Sequence, residues 1–208
     1  MSIMVEHDKR RKQILRKALD VFMEEGFEAA TYQKIADRCK ITRTTLYLYF
    51  RNRQEIFNFS IKQFMAEVEL DILGVKEDRS LSCPVKLKKT LFLILSRLEE
   101  NRPLLSVILD YLLAKSGGLQ KTKTAKTGIP ALADTRVRRR TIRLRHILSA
   151  ILIEGIKNGQ LRKINLGSTN NLLYSLIESA IFRLTVLKRK STAELKTVVE
   201  LTIDGLRS

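Results

Sequence analysis

TYQKIADRCKITRTTLYLYFRNRQEIF, residues 31–57, is the stretch that decides how the rest of the chain is read. Thr31 is a good N-cap for a short helix through about Arg38, with Ile35 and Ala36 turned inward. A break follows at Cys39-Lys40-Ile41, and Thr42 can cap a second short helix reaching about Phe50. Leu46 and Phe50 stand four residues apart and share a buried face, which leaves Arg43, Thr44, Thr45 and Tyr47 largely outward. Upstream, residues 9–25 carry Ile14, Ala18, Val21 and Phe22 on one apolar stripe, with Gly26 placed to end that helix in a left-handed conformation. Two short helices joined by a tight turn and backed by a supporting helix make a helix-turn-helix.

The outward side of the second short helix has a chemistry of its own. No acidic residue lies between Lys40 and Gln54. Arginine can bond two acceptors on a guanine edge, threonine offers a methyl and a hydroxyl, and tyrosine hydroxyls reach phosphate oxygens. A solvated basic helix in an arbitrary helical protein is the plainer reading of the same residues. What separates the two readings is a resemblance. Thr31, Ile35 and Ala36, the turn Cys39-Lys40-Ile41-Thr42, then Thr45-Leu46-Tyr47, Tyr49-Phe50 and Arg53 are similar, at matching spacing, to the DNA-binding domain of the TetR family of bacterial regulators. The likeness is strong over residues 10–57 and continues weakly in residues 154–162 (EGIKNGQLR) and in Asp204-Gly205-Leu206.

The resemblance implies roles at the matching positions. Arg43 and Thr44 are expected at base edges in the major groove, with Thr31, Thr45, Tyr47, Tyr49 and Arg53 on phosphates and Gln33 on phosphate or base. Lys9-Arg10-Arg11-Lys12 would lie near the DNA backbone or minor groove, or form a charged first turn. Two positions depart from the family pattern. Lys40 stands where a turn glycine is usual, so either the turn differs or a left-handed lysine is accepted at a cost of about 1 kcal/mol. Tyr49 replaces a common histidine.

Beyond Asn52 the pattern changes to longer helices: one from 53 to about 73 that bridges two domains, then others near 84–100, 103–115, 132–158, 168–189 and 192–206. Residues 116–131, glycine-rich and then KTKTAKTG with a proline, read as a mobile loop. With three prolines and nine glycines in 208 residues, and 44% apolar residues, the chain favours a packed all-α architecture. The expected division is a three-helix DNA-binding domain over 1–53 and a helical ligand-binding and dimerisation domain over 54–208. The helix over 168–189 is apolar round most of its circumference and the one over 192–206 offers a second apolar surface, which together suit a homodimer interface or burial within one monomer.

Charge and composition limit the alternatives. The net charge of +17 points to a polyanionic partner. Residues 1–59 hold 12 Lys/Arg against 8 Asp/Glu, a balance of +4, and the remaining 27 against 14 give +13, so most of the excess lies outside the DNA-binding segment. Its densest part is Arg136, Arg138, Arg139, Arg140, Arg143 and Arg145, which reads as a solvated face, an anionic-ligand site or a source of long-range attraction to DNA. Tyr111, Arg140, Arg143 and His146 are the candidate contacts for a small-molecule effector, His146 because it falls on the stripe of Ile142, Ser149 and Ile153. Two histidines allow no nucleophile–His–carboxylate set, and no metal-ligand spacing or phosphate-binding glycine loop is present, so neither an enzyme nor a cofactor is expected. Cys39 and Cys83 form no CxxC pair. No signal peptide is apparent, and the longest apolar-rich run, 147–156, falls short of the ~20 residues a membrane span needs, so a cytoplasmic location is expected. The sequence therefore points to a dimeric, effector-released repressor on double-stranded operator DNA. A non-specific, architectural DNA binder is the alternative that the net charge allows.

Overall fold

The computed structural model describes residues 2–118 and 131–208, and side chains over 6–111, at 113 and over 142–208. The expected loop at 116–131 lies almost wholly outside the described residues, as do the side chains of Arg136, Arg138, Arg139 and Arg140. All the named elements are helices: α1 (Ser2–Ala29), α2 (Tyr32–Cys39), α3 (Arg43–Tyr49), α4 (Arg53–Glu77), α5 (Cys83–Glu100), α6 (Arg102–Gly118), α7 (Ala131–Lys157), α8 (Leu166–Thr185) and α9 (Ala193–Asp204). The protein is all-α, with an N-terminal helix-turn-helix and a C-terminal helical bundle. None of the described helices is long and apolar enough to cross a membrane.

Two hydrophobic clusters organise these helices. The first gathers Ile14, Ala18, Val21 and Phe22 of α1, Ile35 and Ala36 of α2, Leu46 of α3, Phe50, and Ile56 and Phe57 of α4. It also takes in Val107 and Tyr111 from α6. The second is built on α5, whose Leu87, Leu91 and Leu95 are fully buried against α7, α8 and α9. Residues 53–77 are rooted in both, through Ile56 and Phe57 at one end and Ile72 at the other.

Local chemistry fixes the helix ends. Gly26 breaks α1 with φ of 80°. The helix starts at Ser2, seven residues before the expected position, and the extension carries His7 onto the Tyr49 ring at 4.6 Å. Asn52 caps α4 by accepting from the Glu55 amide at 2.8 Å, and Glu55 reciprocates by accepting from the Arg51 amide at 2.6 Å. The Asn-x-x-Glu spacing of this reciprocal cap is a helix-start signal that the reading of residues 31–57 does not use.

Residues 154–162 and 204–206 meet at the far end of the bundle. A Cβ on Gly155 would stand 2.5 Å from a Leu161 methyl and 2.9 Å from the Cys83 Cβ, so only glycine lets α7 meet the start of α5. The Gly155 carbonyl accepts from Gln160 and Leu161, the Gln160 side chain accepts from the Cys83 amide at 2.7 Å, and Arg162 donates to the Leu206 carbonyl at 3.0 Å. Lys86 is buried beside these residues, and its ammonium donates to Glu154 at 3.0 Å, which a buried cation requires.

α8 ends at Thr185, four residues short of the expected 189, and the chain then turns through a left-handed Lys188. Leu173, Leu176, Ile177, Ala180 and Leu184 face the core. Leu172, Ile181, Phe182, Val186 and Leu187 remain exposed, as do Val198 and Leu201 on α9. A single chain thus leaves apolar side chains of both helices uncovered.

Candidate nucleic-acid interface

α2 and α3 hold the site by caps and aromatic stacking rather than by length. Thr31 accepts from the Lys34 amide at 3.3 Å and Thr42 from the Thr45 amide at 3.1 Å, so each short helix is capped by the expected threonine. Between them Lys40 is left-handed, with φ of 56° and ψ of 47°. Its amide donates to the Asp37 carbonyl and that of Ile41 to the Ala36 carbonyl, which closes the C-terminus of α2. The turn therefore keeps glycine-like geometry with a lysine in it.

Leu46 and Phe50 are buried and lock the inner side of α3. The outer side presents Arg43, Thr44, Tyr47 and Leu48, all exposed. Tyr47 lies stacked on Tyr32 at 4.5 Å, and the Tyr32 hydroxyl donates to the Phe50 carbonyl at 2.6 Å. Burial, with Tyr47 and Glu55 nearby, pushes the Tyr32 phenol up to about 12, so this group stays a neutral donor and holds α2 to the end of α3. Leu48, 76% exposed, is absent from the residues that the sequence alone singles out. An apolar side chain this open on a recognition surface suits a thymine methyl, and its i+2 offset from Leu46 is the signal that places it outward.

The other candidates divide into free and engaged groups. Arg43 has no hydrogen bond or ion pair among the described residues. Gln33 donates to Asp37 at 2.7 Å and the Thr45 hydroxyl pairs with that of Thr42 at 2.8 Å. Tyr49 is half-buried against His7. Arg53 is tied back to the first helix: it donates to the Glu28 carbonyl at 2.6 Å and carboxylate at 3.1 Å, with its guanidinium over the Phe27 ring. Thr31, Gln33, Arg43, Thr44, Thr45 and Tyr47 all belong to the α2–α3 unit, and Arg53 opens the helix that follows.

Of the effector candidates, Tyr111, Arg143 and His146 have described side chains, and these three do not converge. Tyr111 is buried among Phe27 and Phe57, and its hydroxyl accepts from Gln54 at 2.8 Å, so its place is the seam between α6 and the N-terminal unit. His146 is exposed, along with Ile142 and Ile153, because this stripe of α7 points away from the core that its apolar spacing suggests. Arg143 is exposed and ion-paired with Glu69 at 3.1 Å. Arg145, not a candidate, lies over the Tyr174 ring at 4.2 Å. Among the described residues no group of His, Cys, Asp and Glu could hold a metal ion.

Capped short helices, a left-handed turn and an outward Arg-Thr-Tyr face define a helix-turn-helix protein. Residues 14–58 match the family model of the bacterial regulatory proteins, tetR family. The match covers the N-terminal helix-turn-helix unit, from α1 to the start of α4. It is 40% identical over 45 residues to the HTH-type transcriptional regulator YdeS of Bacillus subtilis, a match covering 22% of this chain and 23% of that protein. The shared stretch is thus about a quarter of the curated relative's length. Similar folds extend further. A TetR transcription regulator from Haloarcula marismortui superposes with a TM-score of 0.77 over 97% of this chain and 100% of that one, at 17% identity. FadR from Bacillus subtilis, in complex with stearoyl-CoA, does so with 0.65 over 94% and 98%, at 22% identity. At these identities the likeness is one of fold.

Proposed function

We propose that this chain is a sequence-specific, homodimeric transcription regulator that represses from a double-stranded operator and leaves it when a small molecule binds. The observation carrying the reading is the outer face of α3, where Arg43, Thr44, Tyr47 and Leu48 stand clear while Leu46 and Phe50 anchor the helix. Exposed donors and an apolar side chain on a rigid helix suit base readout, the donors on base edges and the apolar group on a thymine methyl. Residues 1–53 are the DNA-binding domain and 54–208 the regulatory one, with α4 as the lever between them. The uncovered apolar side chains of α8 and α9 supply the dimer surface, which would set two recognition helices one DNA turn apart. No catalytic step is assigned, and the chain acts in the cytoplasm where its DNA lies.

FadR of Bacillus subtilis, whose fold this chain resembles, holds stearoyl-CoA, and a long-chain acyl thioester is the effector class we assign. The test is selection of duplex sites from a random library followed by mobility shift of the dimer with and without stearoyl-CoA. Enrichment of a palindromic site and its release by the thioester are expected. An affinity ratio near one between selected and random duplexes would make this an architectural DNA binder.

A further inference from the structure

Outside the helix-turn-helix, three of the chain's cations line one cleft among the described side chains. Where α5 turns into α6, the N-terminus of α6 faces the loop between α8 and α9 across a cleft of about 260 Å³. Its walls are Arg102, Pro103, Ser106, Leu184, Lys188 and Lys190: three cations, a hydroxyl, an apolar floor and no carboxylate. None of the three cations has an ion pair or hydrogen bond among the described residues. Glu99 lies within electrostatic reach of Arg102, but one of its carboxylate oxygens is taken up by Thr192, accepting from its amide at 2.9 Å and hydroxyl at 2.8 Å. Glu100 is paired with Arg97, and Glu194 with Arg183.

The cations are not loosely strung. Val186 and Leu187 both donate to the Phe182 carbonyl, and Arg189 donates to that of Arg183 at 2.9 Å, which folds the loop back over the end of α8. Lys188 sits at the apex with φ of 53°. Like charges held together around a cleft repel one another unless an anion neutralises them. A multiply charged phosphate can do this through a two-pronged guanidinium interaction and two ammonium groups.

We propose that this cleft binds a phosphorylated small molecule, with Arg102, Lys188 and Lys190 on its phosphate groups and Ser106 as a further donor or acceptor. The volume falls just below the ~300–1,000 Å³ of ordinary ligand pockets, enough for a diphosphate with little attached and too small to enclose a long acyl chain. The site goes beyond the DNA-binding function argued above and stands without it. It lies at the start of α6, whose Val107 and Tyr111 enter the aromatic cluster of the N-terminal unit one to three turns later, so an occupant would bear on the helix that supports the DNA-binding domain.

The experiment is titration calorimetry of the full chain with inorganic pyrophosphate at constant ionic strength. It compares the parent, an Arg102→Gln/Lys188→Gln/Lys190→Gln variant, and a control with equal charge loss, Lys157→Gln/Arg162→Gln/Lys163→Gln. The control residues lie at the other end of α5, an 18-residue helix about 27 Å long. Pyrophosphate affinity is expected to fall about tenfold or more in the cleft variant, as removal of charge-assisted hydrogen bonds requires, and to hold in the control. Equal losses in both, or no loss in the cleft variant, would overturn the site. So would unchanged pyrophosphate binding with weakened affinity for duplex DNA, because the cations would then serve the DNA backbone. The pyrophosphate results do not bear on whether the parent chain selects and releases an operator in the mobility-shift test, so the two proposals fail separately.

Discussion

The two halves of this molecule are held together by different kinds of side chain. In the N-terminal unit Phe22, Phe27, Phe57 and Tyr111 meet one another at centroid distances of 4.6 to 5.9 Å, and Tyr32, Tyr47 and Tyr49 stack around α3. The C-terminal bundle is packed with Leu, Ile and Val, and Tyr174 lies at its edge. Short helices of 7 and 8 residues bury little surface each, so large rings, caps and one left-handed turn must define their positions. Helices of 18 to 27 residues bury enough aliphatic surface that many sequences of similar volume would serve. Specific geometry therefore costs many specific residues at one end and few at the other, Gly155 and the Lys86–Glu154 pair among them.

The largest expected effect breaks this pairing directly. Phe57 is fully buried and touches rings of Phe22, Phe27 and Tyr111. Phe57→Ala should destabilise the N-terminal unit by about 3–5 kcal/mol while the aliphatic bundle keeps its helices. The chain has no tryptophan, and four of its five tyrosines, at 32, 47, 49 and 111, belong to the aromatic unit. Near-ultraviolet circular dichroism thus reports mainly on that unit and far-ultraviolet on the whole. In the variant the near-ultraviolet melt should precede the far-ultraviolet one. Coincident melts would mean that α4 and α6 weld the two clusters into one cooperative body.

The same difference governs what is legible in the sequence. Thr31, Thr42 and Gly26 announce helix ends because only a few residue types satisfy a cap or a positive φ, and the structure puts all three to those uses. The long helices are readable to within a few residues from apolar periodicity, except α1, whose early start carries the run Ile3-Met4-Val5 but no helical spacing. Side-chain destinations in the bundle are not readable. Ile142, His146 and Ile153 have core spacing yet lie outside, and Tyr111 leaves its own bundle to finish the other cluster, because periodicity says which residues share a face and nothing about what covers it. The cleft at Arg102, Lys188 and Lys190 joins residues 86 positions apart, beyond the reach of any local pattern.

Within the N-terminal unit the contrast can be sharpened between a free and an engaged arginine. Arg43→Ala should weaken binding to a selected duplex by about 1–3 kcal/mol and relax preference at one base pair per half-site, read by mobility shift against a site library. Arg53→Ala should cost less, about 1 kcal/mol, and cost it evenly across sequences. Its guanidinium holds Glu28 in the free protein, so reaching a phosphate requires it to exchange partners. Titration at several salt concentrations decides the matter, because the log K against log[salt] slope should shrink by about one unit for each phosphate that is no longer neutralised. An unchanged slope would leave Arg53 on Glu28 and make it a brace between α1 and α4.

The smallest effect concerns Lys40, where the N-terminal unit's demand for geometry outruns its sequence. A side chain in the left-handed region costs on the order of 1–2 kcal/mol, and the Lys40 side chain is exposed and makes no hydrogen bond or ion pair among the described residues to offset it. Glycine removes that cost and adds backbone freedom to the unfolded chain, an opposing effect of about 0.4–1 kcal/mol. The difference favours glycine, so Lys40→Gly should stabilise the protein by about 0.5–1 kcal/mol, a rise in melting temperature of about 2 °C for a chain of this length. Natural retention of lysine then needs a return, and the DNA backbone beside the α2–α3 turn is the place to look for it. If the ammonium meets a phosphate, the stabilised variant should bind all duplexes more weakly, with a salt slope about one unit shallower. A variant that is both more stable and undiminished on DNA would show that the left-handed lysine serves neither the fold nor the operator.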